Sequence, residues 1–213
     1  MTHPLGRKVA HDPRSLSFPA AVSTSHQPVT HRTYGAVLDQ GQLGSCVGNA
    51  AAHALNTAPL HKVRTRLYKE ADAVDFYSGA THLDSDPQNY PPNDTGTDAN
   101  SAAKYLRSLG KISSWSHCFG LDHVLAALQL SPVMLGITWY EDMFTPDAKG
   151  YVHPGGQVAG GHETLIRADD GVGSVLVRNS WGSSWGLSGH YRLTYHDLSL
   201  LLADSGDATV LTA

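Results

Sequence analysis

Two kinds of pattern divide this chain, and their order limits what it can fold into. From residue 35 to about residue 120 the runs favour helices, and from residue 133 onward short β-like runs replace them. Helices gathered in one stretch and strands in another point to an α+β protein. In the first half, residues 47–58 are alanine-rich and free of proline until Pro59, so the spacing predicts a buried helix starting at Cys46. Further helices are expected at about 66–78 and 98–109, with Asp98 as the N-cap of the latter. Between them, residues 83–97 carry Asp86-Pro87, Tyr90-Pro91-Pro92 and Asn93-Asp94-Thr95-Gly96, which is turn chemistry throughout. After a short helical stretch at 122–130, strands are expected at 133–140, 162–168, 174–179 and 191–195. The chain then reads as one domain over 1–213: an extended arm at 1–33 packed along a surface or partly mobile, a helical lobe at about 35–120, and a β-rich lobe at about 121–213, with a cleft between the lobes.

Four short words lie along that scaffold. They are Asp39-Gln40-Gly41-Gln42-Leu43-Gly44-Ser45-Cys46, then Gly160-Gly161-His162, then Asn179-Ser180-Trp181-Gly182 with Ser183-Ser184-Trp185-Gly186 directly behind. A cysteine attacks a carbonyl only as thiolate, and it needs an adjacent imidazole or a helix N-terminus to reach that state near neutrality. Cys46 is placed for both, because the predicted helix begins there and its dipole favours the thiolate. His162 supplies a base, and Asn179 an amide to hold the imidazole in its working tautomer. Gln40, six residues before Cys46, offers a side-chain N–H that with the backbone N–H of Cys46 can face a developing oxyanion; Gln42 competes for that role, and the six-residue interval favours Gln40.

At these residues the sequence resembles the papain-like cysteine peptidases, and the words fall in that family's order from roughly Tyr34 to Leu193. His162 lies 116 and Asn179 133 residues after Cys46, the spacing of a compact member. The resemblance implies a two-lobed papain-like fold and a cysteine endopeptidase working through Cys46, His162, Asn179 and Gln40, with an acyl-enzyme intermediate and neither cofactor nor metal. It also implies a substrate-binding set: Gly44 beside the nucleophile, Gly161 beside the base, Gly96 and Thr97 in a loop giving backbone hydrogen bonds, and Trp181 on the leaving-group side, shielding the Asn–His contact. The family's usual Cys-x-Gly-Gly word is absent from that loop. Glu163 stands where a small residue is usual, and strand alternation is expected to turn it to the face opposite His162. Asp204 and Asp207 fall near the position that closes the main side-chain pocket; an acidic pocket preferring a basic side chain and a solvated Asp-Ser-Gly-Asp loop are both open readings. Residues 1–33 do not read as a helical inhibitory segment, which implies restraint by something else.

Composition narrows the partners. With 41% apolar and 16% charged residues and a formal charge of −4, the chain shows no footprint for nucleic acid or an anionic membrane. The expected partner is a peptide or protein substrate. Only two cysteines occur, Cys46 and Cys118, so no disulfide framework is expected. With no apolar leader segment, the expected location is cytoplasmic or within a viral particle, in the manner of short bacterial or phage-type members. Two rivals follow from the same residues: a cell-wall peptide hydrolase or acyltransferase using the same triad, and a binding component of a larger assembly that keeps the cleft.

Overall fold

A computed structural model describes residues 3–24, 26–62 and 66–213, so Met1, Thr2 and Ser25 of the predicted arm lie outside it. In chain order the elements are β1 (Val29–Thr30), α1 (Cys46–Leu55), α2 (Glu70–Thr81), α3 (Ala99–Ser108), β2 (Ser114–Cys118), α4 (Leu121–Leu128), β3 (Val133–Tyr140), β4 (Val158–Asp169), β5 (Ser174–Arg178), β6 (His190–Thr194), α5 (Tyr195–Ala203) and β7 (Asp207–Thr212). The strands form one antiparallel sheet in the order β2-β7-β3-β4-β5-β6, with β1 pairing to β4. This is the α+β, two-lobed arrangement that the order of patterns predicts.

The central strands explain why two cores form. Along β3, Val133, Leu135, Ile137 and Trp139 join Ile166, Val175, Val177, Tyr191 and Leu193 in the core of the β-rich lobe. Met134 of β3 and Leu165 of β4 point the other way and pack with Ala50, Ala51, Ala54, Ala103 and Leu106 in the helical core. A strand whose two faces are both covered reads as a continuous apolar run, as residues 133–137 do. The sheet is the wall that the two lobes share.

Helix α1 is buried on all sides, and its small side chains are what permit that. A Cβ at Gly48 would stand 2.8 Å from the amide nitrogen of Tyr77, so α2 approaches to backbone contact there. The helix ends three residues earlier than the sequence suggests, because Thr57 turns its hydroxyl onto the carbonyl of His53 at 2.7 Å and competes with continuation. Asp98 caps α3 by accepting from the Ser101 N–H at 2.9 Å, as expected. Three elements escape sequence reading: β2, whose Ser-Trp-Ser-His-Cys has no clean alternation; α5, which follows β6 without a break; and β7, which opens on the aspartate of the expected loop.

The N-terminal arm departs most from expectation. Beyond residue 8 it is largely exposed, but its first described residues do not lie on the outer surface: Arg7 N–H donates to Gly161 O at 2.9 Å, Thr97 N–H to Gly6 O at 2.9 Å, and Lys8 N–H to Thr97 O at 2.8 Å. Residues 3–8 thus run between the lobes.

Leu106 is fully buried in the helical core, so Leu106→Ala is expected to cost about 2–5 kcal/mol of unfolding free energy in urea titration.

Candidate active site

The base is built first by hydrogen-bond chemistry. His162 Nε2 lies 2.7 Å from Asn179 Oδ1, which also accepts from the Ser180 N–H at 2.8 Å. An oxygen that already accepts from a backbone N–H fixes the amide's orientation, so Nε2 of the imidazole is the donor and Nδ1 carries the lone pair. Nδ1 is buried and has no hydrogen-bond partner. Trp181 stacks on the imidazole with centroids 4.7 Å apart and planes 20° apart, and Trp139 meets it edge-on at 5.0 Å. These rings exclude water from the His162–Asn179 bond.

Cys46 opens α1, with Ser45 at the N-cap position. Its sulfur is fully buried and sits among the backbone N–H groups of Glu163, Gly6 and Val47. Contact with Glu163 N–H places the thiol one residue from the imidazole along β4. Burial nevertheless dominates, pushing the thiol up to about 12 and the His162 imidazole down to about 4. Burial thus disfavours the charged form of both groups.

Gln40 is held across the lobes. Its backbone N–H donates to Ser180 O at 2.9 Å, and Ser180 Oγ donates to its Oε1 at 2.7 Å. The Nε2 end is left to donate, and it does so to Leu43 O at 2.8 Å and Pro4 O at 3.2 Å. The group read as an oxyanion donor is therefore engaged by a carbonyl of the arm.

That arm runs through the cleft. His3 stacks on Trp181 at 4.4 Å and 10°, while Lys8 reaches Asp86 at 2.8 Å and Thr95 Oγ1 at 3.1 Å. Where the arm crosses the nucleophile loop only glycine fits, because a Cβ at Gly6 would overlap the carbonyl of Gly44. Beside it an open space of about 580 Å³ remains, lined by Leu5, Arg7, Glu141, Phe144 and Gly160.

All four residues read as catalytic, Cys46, His162, Asn179 and Gln40, meet in this cleft, and so do Gly44, Gly96, Thr97, Gly161 and Trp181. Asp204 does not line it: its Oδ2 accepts from the exposed Tyr140 hydroxyl at 2.6 Å. Asp207 is not in a solvated loop but begins β7 and pairs with Arg7. Glu163 turns from the imidazole as alternation predicts, and is fully buried. Sequence reasoning missed Asp94 and Tyr77. Asp94 accepts from Gly44 N–H at 2.9 Å and from Tyr77 OH at 2.6 Å, and Tyr77 OH accepts from Gly96 N–H at 3.0 Å. One carboxylate thereby sets the nucleophile loop against the substrate-binding loop; its only signal was a turn motif. Cys118 is buried and free, and no cluster of potential metal ligands occurs among the described residues.

No family model matches the chain. Over 65 residues it is 37% identical to cathepsin B-like cysteine proteinase 6 of Caenorhabditis elegans, an overlap of 29% of this chain and 17% of that protein. The chain thus spans under a fifth of that relative's length. Over 203 residues it is 28% identical to the uncharacterized peptidase C1-like protein L477 of Acanthamoeba polyphaga mimivirus, covering 74% of this chain and 64% of that one. Among solved structures it superposes on xylellain, a cysteine protease from Xylella fastidiosa, with a TM-score of 0.77 at 18% identity, covering 99% of this chain and 96% of the other. The fold is papain-like, and the relatives are cathepsin B-like and peptidase C1-like proteins.

The depressed His162 value has a defined sign. A histidine that resists protonation when buried favours the closed state above pH 6.5 and disfavours it progressively as pH falls toward 4. NMR titration of the intact chain is expected to show the His162 ring neutral down to about pH 5, with a midpoint near 4; a midpoint at 6.5 would mean that the imidazole is already hydrated.

Proposed function

We propose that the chain is a cysteine endopeptidase cutting peptide bonds through Cys46, His162 and Asn179, with residues 3–8 holding it closed. The observation that carries this reading is the His162–Asn179 pair at 2.7 Å, which leaves Nδ1 as a free base one residue from the amide that touches the Cys46 sulfur. An imidazole oriented in that way beside a helix-borne thiol is an acyl-transfer device.

Once the arm leaves, water and the α1 dipole lower the cost of charge, and the thiol proton passes to His162 Nδ1. The thiolate forms a bond to the substrate carbonyl carbon, and the oxygen takes up negative charge. Cys46 N–H and Gln40 Nε2, freed of Pro4 O, donate to that oxygen; losing one such donor typically costs about 2.7–4 kcal/mol of barrier. The C–N bond breaks as His162 returns the proton to the departing amine, leaving a thioester on Cys46. Water then attacks the thioester, giving its proton to His162, and the acid product departs with the thiol restored. Asn179 keeps Nε2 as the donor throughout, and Trp181 keeps water off that bond. The substrate main chain takes the hydrogen bonds that the arm now makes with Thr97 and Gly161.

Cys46→Ala is expected to abolish hydrolysis of a denatured-protein substrate; residual turnover at the wild-type rate would remove the mechanism. Gly6→Ala drives a methyl into Gly44 O, and overpacking of about 1.4 kcal/mol or more is expected to raise the open population, and with it the Cys46 alkylation and peptide hydrolysis rates, by about tenfold.

A further inference from the structure

Away from the cleft, the arm and the last strand of the sheet leave a groove between them. After Lys8 the arm makes a tight helical turn at Pro13–Ser17 and then joins β2, where His117 N–H donates to Phe18 O at 2.9 Å and Ala20 N–H to His117 O at 2.8 Å. β2 stands at the end of the sheet order, and its other edge pairs with β7. In a strand the N–H and C=O of alternate residues point to the same edge, so those of Trp115 face the side on which the arm bonds His117. The arm gives Trp115 no backbone hydrogen bond, because the residues preceding Phe18 are wound into the turn. One ladder position of an edge strand is thus left open.

An open space of about 410 Å³ lies at that edge, lined by Ser114 and Trp115, by the turn and by α3. Two rings flank it: Phe18 is 61% exposed, and Trp115 is held in place by its Nε1, which donates to Asn100 Oδ1 at 2.7 Å. The charge on the lining is one-sided. Asp12 is the acid there, and Arg14 occupies both its oxygens, Nε donating to Oδ1 at 2.9 Å and Nη2 to Oδ2 at 2.6 Å. Lys104 and Arg107 line the same space and form no ion pair among the described residues. Residues 99–121 carry Lys104, Arg107 and Lys111 and no acid, in a chain whose formal charge is −4. Asn100, Lys104 and Arg107 stand at i, i+4 and i+7, a stripe along α3 about 10 Å long. That is the reach of about three residues of extended chain. Cations strung along a line suit carboxylates strung along a peptide, whereas a compact anion needs donors converging on one point.

We propose that this groove binds an extended acidic segment of a partner protein by strand addition to β2 at Trp115. Acidic side chains of the segment lie on Lys104 and Arg107, and an apolar one lies between the rings of Phe18 and Trp115. The main-chain bonds of an added strand give affinity for any extended peptide, and the charges and rings beside the edge choose which one. This binding is independent of the peptidase reading, since no group of the cleft takes part in it.

The test uses the full chain and the peptide acetyl-Glu-Glu-Phe-Glu-Glu-amide, followed by calorimetry and amide NMR. Saturable binding is expected, with the Trp115 amide shifted and its exchange with solvent slowed. Putting alanine in place of the phenylalanine is expected to weaken binding about tenfold, and so is the charge reversal Lys104→Glu with Arg107→Glu. Acetyl-Lys-Lys-Phe-Lys-Lys-amide should fail on the wild type and bind the reversed chain; the phenylalanine and alanine peptides on the wild type decide even if that variant does not fold. Cys46→Ala should bind the acidic peptide as tightly as the wild type does, whether or not the chain is a peptidase. No binding up to about 1 mM peptide, or binding that leaves the Trp115 amide unmoved, would overturn the proposal. Equal affinity for the phenylalanine and alanine peptides would overturn it too, leaving only a general attraction of anions to a basic face.

Discussion

The site depends on a short pairing between two loops that belong to different lobes. Gly182 N–H donates to Leu38 O at 3.1 Å, Gln40 N–H donates to Ser180 O at 2.9 Å, and Ser180 Oγ closes the set on Gln40. These bonds tie the segment that leads to Cys46 directly to the segment that carries Asn179 and Trp181. They add to the packing of α1 on the sheet, which also relates the thiol, borne on a helix, to the imidazole, borne on a strand. Backbone pairing is suited to this task because its geometry is stiff and independent of side-chain rotamers.

Much of this was legible in the sequence because the chemistry restricts residue type. A thiol at a helix start, a Gly-His pair at a strand and an Asn before Ser-Trp-Gly have few other uses together, and the structure brings those residues to one place. The strand order and the elements β2, α5 and β7 were not legible: Ser114–Cys118 mixes exposed and buried polar positions, and β7 is stabilised by partners β2 and β3 far away in the chain. Asp94 looked like a turn residue because its distant partners, Gly44 and Tyr77, leave no mark on the local pattern. The arm was read as peripheral for the same reason. Nothing local in His3-Pro4-Leu5-Gly6-Arg7-Lys8 announces a complement; that appears only when Gly44, Gly161 and Thr97 are set around it.

Closure also changes the electrostatics of the groups it covers. With the arm in place, Cys46, His162 and Glu163 are all fully buried, and each is displaced toward its neutral form. Dryness as well as coverage disfavours the charged forms of Cys46 and His162. Gly6 contributes an N–H to the thiol, so the segment that blocks the cleft also occupies the sulfur's hydrogen-bonding capacity.

Because residues 3–8 are covalently joined to the domain they cover, their binding is intramolecular. A tether of this kind presents its own segment at an effective concentration in the millimolar range, so contacts too weak to hold a free hexapeptide suffice to keep the cleft occupied. Severing a single bond between residue 8 and Phe18, where the arm next bonds to His117 of β2, would convert that tethered segment into a dilute ligand. Its occupancy would then be set by ordinary mass action, and would fall as the fragment was diluted.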